Sequence, residues 1–512
     1  MPQRTVTRRR FLATAAMAAG ATQLPAQRKS GVQVKLEISG AAEGPHMPED
    51  FIGLSYEVQQ LADPDFFSSK NTGLIRAFRE ISSHGVLRLG GNTSEFAWWK
   101  PTPGSTQPAH RPVREVVGEP KAQFYPVSTE AVQNLAEFLN ATGWTVLYGI
   151  GMGTNTPERA AEEAAAVARI LGHRLQYFQI GNEVDMFDRH LRDPETWSAK
   201  TYLQEWLGMA RAVAARVPGA KFGMPDVAAR VDWLTEIAAQ WPSITDPPHV
   251  TTLTHHYYFG GPATNPAVNI PNLLMPATMA KVQKTANTAT AAAESMHARV
   301  RMTEGNTCYR GGKPGVSDVF AAALWSADYS LLLARNNYSG VNLHGGTGKS
   351  VANSVGGSLP GDTLLEQQGA TPAQIASHPH PFYTPIATFG DDYVLEPVAR
   401  GLQFAGSLSG GRLFTSDLTA SLQAAGVNAT AYAAELPGGK RSVVVLNKDA
   451  EKDLDLTLEF GHGGAVAVET LRAPALDSRD ASLAPSSSSK LDGQGRCHLT
   501  VPAGSGARIT VE

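Results

Sequence analysis

The chain has 512 residues, more than a single ordinary domain, and a hydrophobic fraction of 42% that is normal for a globular protein. A large unit plus a smaller one is therefore expected. Lysine and arginine (44) nearly balance aspartate and glutamate (47), which gives no sign of the basic face a nucleic-acid partner would call for. Two cysteines, Cys308 and Cys497, are too few for a disulfide framework and are expected as buried thiols in different domains. There is no Cys/His spacing for zinc and no HExxH, so no cofactor or metal is expected.

The first residues read as an export signal. Thr7-Arg8-Arg9-Arg10-Phe11-Leu12 is followed by a small apolar run, Ala13 to Ala21, and then Leu24-Pro25-Ala26. A charged start, an apolar centre and small residues in that order describe a leader, and the twin arginine resembles the twin-arginine translocation signal. The apolar run is too short to span a bilayer, and no other candidate span occurs. A periplasmic or secreted protein, with residues 1–26 as signal, is expected.

Val32 to Ile38 alternates as a half-exposed strand would, and residues 31–40 are expected to join a β-region at the C-terminus. Phe51 to Glu57 is a first strand ending in a carboxylate; Leu74 to Ser83 is helical; Gly85 to Asn92 is a second strand ending in Gly-Gly-Asn. A long polar insertion, 93 to 127, carries Trp98 and Trp99. Helix 130 to 142 follows, with Ser128 and Thr129 available as caps. Strand three is Thr145 to Ile150. Thr156-Pro157 opens a helix to Leu171. Strand four, Tyr177 to Ile180, stops abruptly in Gly181-Asn182-Glu183.

The alternation continues through a helix at Pro194 to Val217, strand five at Lys221 to Pro225, and a helix at 231 to 240. Strand six, Val250 to Tyr258, ends in His255-His256-Tyr257-Tyr258. After helix 277 to 297, strand seven (Arg299 to Thr303) ends in Glu304-Gly305-Asn306. Helix Asp318 to Asn336 leads to strand eight, Gly340 to Leu343, ending in His344. Eight strands alternating with helices predict a (β/α)8 barrel over 45–390. An open doubly wound sheet is disfavoured because no GxGxxG follows the first strand. Beyond about 394, short β-like runs between Gly, Pro, Asp and Ser turns predict a β-sandwich over 391–512.

Glycosidic hydrolysis needs two carboxyl groups flanking the anomeric carbon. Glu183 and Glu304 end strands four and seven, which face each other across an eight-stranded barrel, so both can reach one mouth. Asp185 is a rival carboxylate.

At this point the sequence resembles the clan A retaining glycoside hydrolases, and more narrowly family 79, the β-glucuronidase and heparanase family. The residues that carry the resemblance are FIGLSYE (51 to 57), LRLGGN (87 to 92), QIGNE (179 to 183), HHYY (255 to 258) and MTEGNTCY (302 to 309). The resemblance implies Glu183 as acid/base, Glu304 as nucleophile and Asn182 on the sugar 2-hydroxyl. Tyr257 or Tyr258 would orient the nucleophile, with Tyr257 preferred. Glu57 and Asn92 would bind sugar hydroxyls, Gly90 and Gly91 would let backbone approach the sugar, and Tyr309 with the Gly311-Gly312 amides would take a uronate carboxylate. His344 is a further candidate, and Arg310 and Lys313 could attract an anion. Val184 departs from the Pro that many clan members have after Asn-Glu.

Basic clusters near strand ends are confined to Arg111 to Arg114 and Arg310 to Lys313, fewer than an endo-enzyme on sulfated chains would carry. The expected function is thus a retaining exo-β-glucuronidase. Its partner would be a glycan ending in glucuronate, with no nucleic acid and no membrane, and the protein would act as a monomer. Two alternatives stay open: a β-glucosidase or β-xylosidase of the same clan, and an inactive exported carbohydrate-binding protein.

Overall fold

The computed structural model describes residues 31–115, 123–390, 392–461, 464–486 and 491–512. The expected export signal lies outside the described residues. Among the described residues no helix is long and apolar enough to cross a membrane.

Eight parallel strands close into a barrel. They are β1 (Ile52–Glu57), β2 (Val86–Gly90), β3 (Thr145–Ile150), β4 (Leu175–Ile180), β5 (Phe222–Val227), β6 (Val250–Gly260), β7 (Arg299–Cys308) and β8 (Tyr338–His344). Closure is made by β8 against β1, with Leu343 opposite Leu54. The expected barrel is present, strand for strand. Helices between the strands start where local chemistry favours it. Ser128 accepts from Ala131 N to open Thr129–Thr142, which stops at Gly143 in the left-handed region. Thr156 caps Pro157–Leu171, with proline in the first turn where its missing N–H loses no helical bond.

The C-terminal strands form two further sheets. In the six-stranded sheet, Lys440–Asn447 alternates cleanly. Val444 and Leu446 face the core shared with the barrel. Val443 and Val445 face a second core with Val34, Leu36, Leu454 and Leu456 from the three-stranded sheet. Val32–Glu37 lies in that smaller sheet, parallel to Leu454–Glu459. Two helices, Pro397–Gly406 and Leu418–Ala424, stand where the sequence suggested only β-structure. The first packs closely on helix Phe320–Arg335: a Cβ at Gly401 would fall 2.1 Å from Ala323 O. A buried ion pair crosses between barrel and sandwich, Lys448 Nζ on Asp328, whose carboxylate also accepts from Thr430 (2.8 Å) and Tyr432 (2.7 Å). Cys308 and Cys497 are both buried thiols, one on β7 and one in the sandwich.

Candidate active site

The C-terminal ends of the barrel strands bring one dense polar cluster together, and its hub is Arg88 on β2. The guanidinium is buried (side chain 1% exposed). Its Nη1 donates to Glu304 Oε2 (2.7 Å) and Ser55 Oγ (3.1 Å); Nη2 donates to Asn182 Oδ1 (2.6 Å) and to Asp226. One rigid fork thus fixes residues from β1, β5 and β7 together with Asn182 just past β4. Gly90 makes room for it, since a Cβ there would fall 2.0 Å from the guanidinium carbon. The sequence suggested that Gly90 and Gly91 admit the sugar; here they admit side chains. Gly91, at φ 72°, leaves space for the Glu57 carboxylate, 2.2 Å from where a Cβ would stand.

Glu183 follows β4 and takes a left-handed backbone conformation, φ 49°, unusual for a residue with a side chain. Its N–H donates to Asp226 O (2.8 Å). Glu304 sits on β7 just past a register shift between Met302 and Glu304. That irregularity lets consecutive residues serve the same cluster, Thr303 Oγ1 donating to Asp226 and Glu304 meeting Arg88. One carboxylate oxygen each of Glu183 and Glu304, and a ring nitrogen of His256, all lie within 4.8 Å of one another.

His256, on β6, joins the two acids to the hub. Its Nδ1 lies 3.1 Å from Glu183 Oε1 and 3.9 Å from Glu304 Oε1, and its Nε2 lies 3.2 Å from Asp226 Oδ2. Burial opposes a charge on the ring, but Asp226 and then Glu304 outweigh it and push the imidazole up to about 10. The ring thus stands between carboxylates on both of its nitrogens, a setting that favours its charged form.

The two glutamates are driven apart. Burial opposes ionisation of Glu304, yet His344, His256, Arg88 and the Tyr258 hydroxyl hold it down at about 2. Glu183 moves the other way: burial raises it, the charges of Glu304 and Asp185 add to that, and the His256 contact only partly offsets them. Two neighbouring carboxyl groups whose proton affinities are pushed apart are the pattern that acid/base chemistry uses. Asp226 stays well below the usual carboxylate range: burial opposes its charge, but Arg88 and His256 overcome it.

One expected contact around this pair is corrected by the structure. Tyr258, not Tyr257, meets the nucleophile candidate, its hydroxyl donating to Glu304 Oε1 (2.8 Å). Tyr257 points to the other face of β6 and stacks on Tyr329 of helix Phe320–Arg335 (5.3 Å between centroids), as side-chain alternation along a strand dictates. Asn182 Nδ2 donates to Asn92 Oδ1 (3.0 Å), coupling the two amides. Glu57 accepts from Thr93 N (3.1 Å) and Thr93 Oγ1 (2.7 Å), and lies 3.3 Å from His344 Nε2. His344 Nδ1 lies 3.0 Å from Ser55 Oγ. Asp185 is no rival: it is buried and accepts from the N–H groups of Ala228, Ala229 and Arg230.

Tyr309 stands at the rim, 42% exposed, edge-on to Tyr258 at 6.4 Å. Gly311 and Gly312 are buried beside it, and Gly312 packs against the Tyr383 backbone, 2.7 Å from where a Cβ would stand. Arg310 donates to Val355 O (2.7 Å) and Lys313 to Val268 O (2.8 Å). Arg111 pairs with Glu205 (3.0 Å), and Arg114 donates to the Asp188 and Arg189 carbonyls. A cavity of about 210 Å³ beside Trp98, Trp99 and Phe124 lies in the 93 to 127 insertion, and the candidate carboxylates are not among its walls.

Sequence reading missed Arg88, Asp226 and His256 as site residues. Arg88 and His256 stand inside the motifs quoted above, and a lone arginine in the apolar run Leu87-Arg88-Leu89 is the signal that could have exposed it.

No protein-family model matches the chain. A β-glucuronidase of Aspergillus niger is 25% identical over 312 residues, 56% of this chain and 55% of the relative. A β-glucuronidase of Neurospora crassa is 24% identical over 344 residues, 61% of this chain and 60% of the relative. The chain thus spans little more than half the length of these curated relatives. Among solved structures, a 4-O-α-L-rhamnosyl-β-D-glucuronidase from Fusarium oxysporum superposes with a TM-score of 0.69 at 17% identity, covering 94% of this chain and all of that one. A family 51 arabinofuranosidase from Xanthomonas axonopodis gives 0.63 at 13% identity, over 94% of this chain and 99% of its own. The resemblance read from the strand-end motifs is borne out: the chain is similar in sequence to β-glucuronidases and has the (β/α)8 barrel and added sheets of barrel glycoside hydrolases.

Proposed function

We propose that this protein is a retaining exo-β-glucuronidase. The observation that carries the reading is the pairing of Glu183 and Glu304. Their nearest carboxylate oxygens stand within 4.8 Å, in keeping with the roughly 5 Å separation of retaining enzymes rather than the 6.5–9.5 Å of inverting ones. Their proton affinities are also driven in opposite directions.

In the first step the Glu304 carboxylate attacks the anomeric carbon. The bond to the leaving oxygen breaks as Glu183 gives that oxygen its proton, and a glycosyl ester on Glu304 results. In the second step Glu183, now ionised, takes a proton from water. The oxygen of that water displaces Glu304, which leaves as a carboxylate and restores the starting state. Arg88 and Tyr258 hold the Glu304 oxygens, so the nucleophile is aimed before substrate arrives. Asn182, fixed by Arg88 and Asn92, would bond the 2-hydroxyl. Glu57, Asn92 and His344 would bond hydroxyls at the closed end of the pocket, and Tyr309 with the Gly311 and Gly312 amides would meet the uronate carboxylate. An exported protein cleaving terminal glucuronate from a glycan fits the sequence of the first 26 residues.

A second reading has one observation in its favour. Arg310 and Lys313, the cations beside the Tyr309 loop, both donate to backbone carbonyls, so neither is aimed at a carboxylate. A neutral-sugar hydrolase such as a β-glucosidase or β-xylosidase needs no such cation. A panel of aryl β-glucuronide, β-glucoside, β-xyloside and 4-O-methyl-β-glucuronide decides between them. The β-glucuronide is expected to be cleaved fastest; a faster β-glucoside would overturn the uronate reading.

A further inference from the structure

We propose that Glu95 is a positioning residue for Glu183, acting through the backbone of Asn182; this rests on the reading of Glu183 as the acid/base. Glu95 belongs to the turn Asn92–Phe96 that follows β2, outside the strands that carry the two candidate acids. Its side chain is buried, and both carboxylate oxygens are taken up by main chain. Oε1 accepts from Asn182 N (2.7 Å); Oε2 accepts from Met152 N (2.8 Å) and from Gly153 N.

These donors lie just past the place where the β3–β4 ladder ends. The last paired residues are Ile150 and Ile180, followed by one more bond from Gly181 N to Ile150 O (2.9 Å). From there the backbone must turn into the left-handed conformation of Glu183, which other interactions have to hold in place. Two bonds do so: Glu183 N to Asp226 O on the β5 side, and Asn182 N to the Glu95 carboxylate on the β3 side. The fit around Glu95 is close. A Cβ at Gly151 would fall 2.4 Å from Ser94 O, and one at Gly153 would fall 2.9 Å from Glu95 Oε2. Thr154 Oγ1 adds a bond to Glu95 O (2.5 Å), so the turn is pinned to the tip of β3.

The chemistry separates Glu from its isostere. A carboxylate can accept all three N–H groups, whereas a glutamine amide must turn its NH2 toward at least one of them. The Glu95→Gln variant therefore loosens either the Asn182 end or the Met152-Gly153 end without removing volume.

The test compares leaving groups. A phenyl glycoside needs the proton of a well-placed acid, whereas a 2,4-dinitrophenyl glycoside leaves largely without it. For Glu95→Gln, kcat/KM on the phenyl β-glucuronide is expected to fall about ten- to a hundred-and-fifty-fold, the range for one lost bond to a charged group. The dinitrophenyl substrate should lose far less. Glu95→Asp, which keeps a carboxyl group at shorter reach, should recover part of the phenyl activity. Equal losses on both substrates, or no loss, would overturn the proposal. If Glu95→Gln does not fold, Glu95→Asp gives the same comparison, and an equal loss there refutes it equally. Should the wild-type protein cleave a β-glucoside or β-xyloside instead, the sugar reading fails while the comparison is run on that glycoside. Undiminished phenyl turnover by Glu183→Gln would overturn the acid/base reading and this proposal together.

Discussion

Replacing Tyr258 by phenylalanine separates the two adjacent tyrosines of β6 and reports on the second chemical step. The Tyr258 hydroxyl donates to Glu304 Oε1 at 2.8 Å, and a hydrogen bond to an ionised group contributes about 1.5–3 kcal/mol. In the proposed first step Glu304 gives up charge as it attacks, so losing the bond both loosens the aim of the carboxylate and leaves it less stabilised before reaction; the two effects oppose each other and kcat/KM changes little. In the proposed second step Glu304 departs as a carboxylate, and the missing bond is felt as charge returns. At about 1.4 kcal/mol per tenfold, kcat should fall roughly ten- to a hundred-and-fifty-fold. KM should fall with it, because the glycosyl-enzyme accumulates. Steady-state kinetics on a dinitrophenyl β-glucuronide, with a pre-steady-state burst, would show both effects. Tyr257→Phe is expected to retain wild-type kcat, since that ring stacks on Tyr329. A loss confined to Tyr257→Phe, or unchanged kcat in Tyr258→Phe, would refute the reasoning.

Other variants probe the electrostatics and the domain contact. The proposed mechanism needs Glu304 ionised and Glu183 protonated, so activity should fall as pH drops through about 2 and again as pH rises through the elevated value of Glu183. His256→Asn removes a cation from both carboxylates, so both limbs of the pH–kcat/KM profile should move to higher pH; unmoved limbs would show that His256 is neutral. Lys448→Met leaves the buried Asp328 without its cation and should lower stability by about 3–5 kcal/mol, seen in thermal unfolding. Adding Asp328→Asn should restore part of that, and a double variant worse than the single would contradict the ion-pair explanation.

The barrel was legible because a parallel strand buried on both faces and an amphipathic helix leave different periods, and eight such pairs occur in order. Glu183 and Glu304 were legible as carboxylates at strand ends. The register at the end of β6 was not: the strand runs on to Gly260, both of its faces are covered, and two tyrosines side by side carry no alternation. Arg88 was hidden because a buried charge looks like any other until its partners from four strands are seen to converge on it. Glu95 stands in an insertion, and its function lies in backbone contacts that no side-chain pattern records. Helix Pro397–Gly406 was missed although Pro397 marks a first turn, because the β-like runs that follow it set the texture of the whole C-terminal region.

The most direct measurement is trapping of the glycosyl-enzyme. Incubation with a 2-deoxy-2-fluoro-β-glucuronyl fluoride, whose fluorine slows the second step more than the first, should inactivate the protein with one sugar attached. Peptide mass spectrometry is expected to place that sugar on Glu304. Attachment at Glu183, or turnover of β-glucuronides to an α-configured first product with no adduct, would contradict the double displacement.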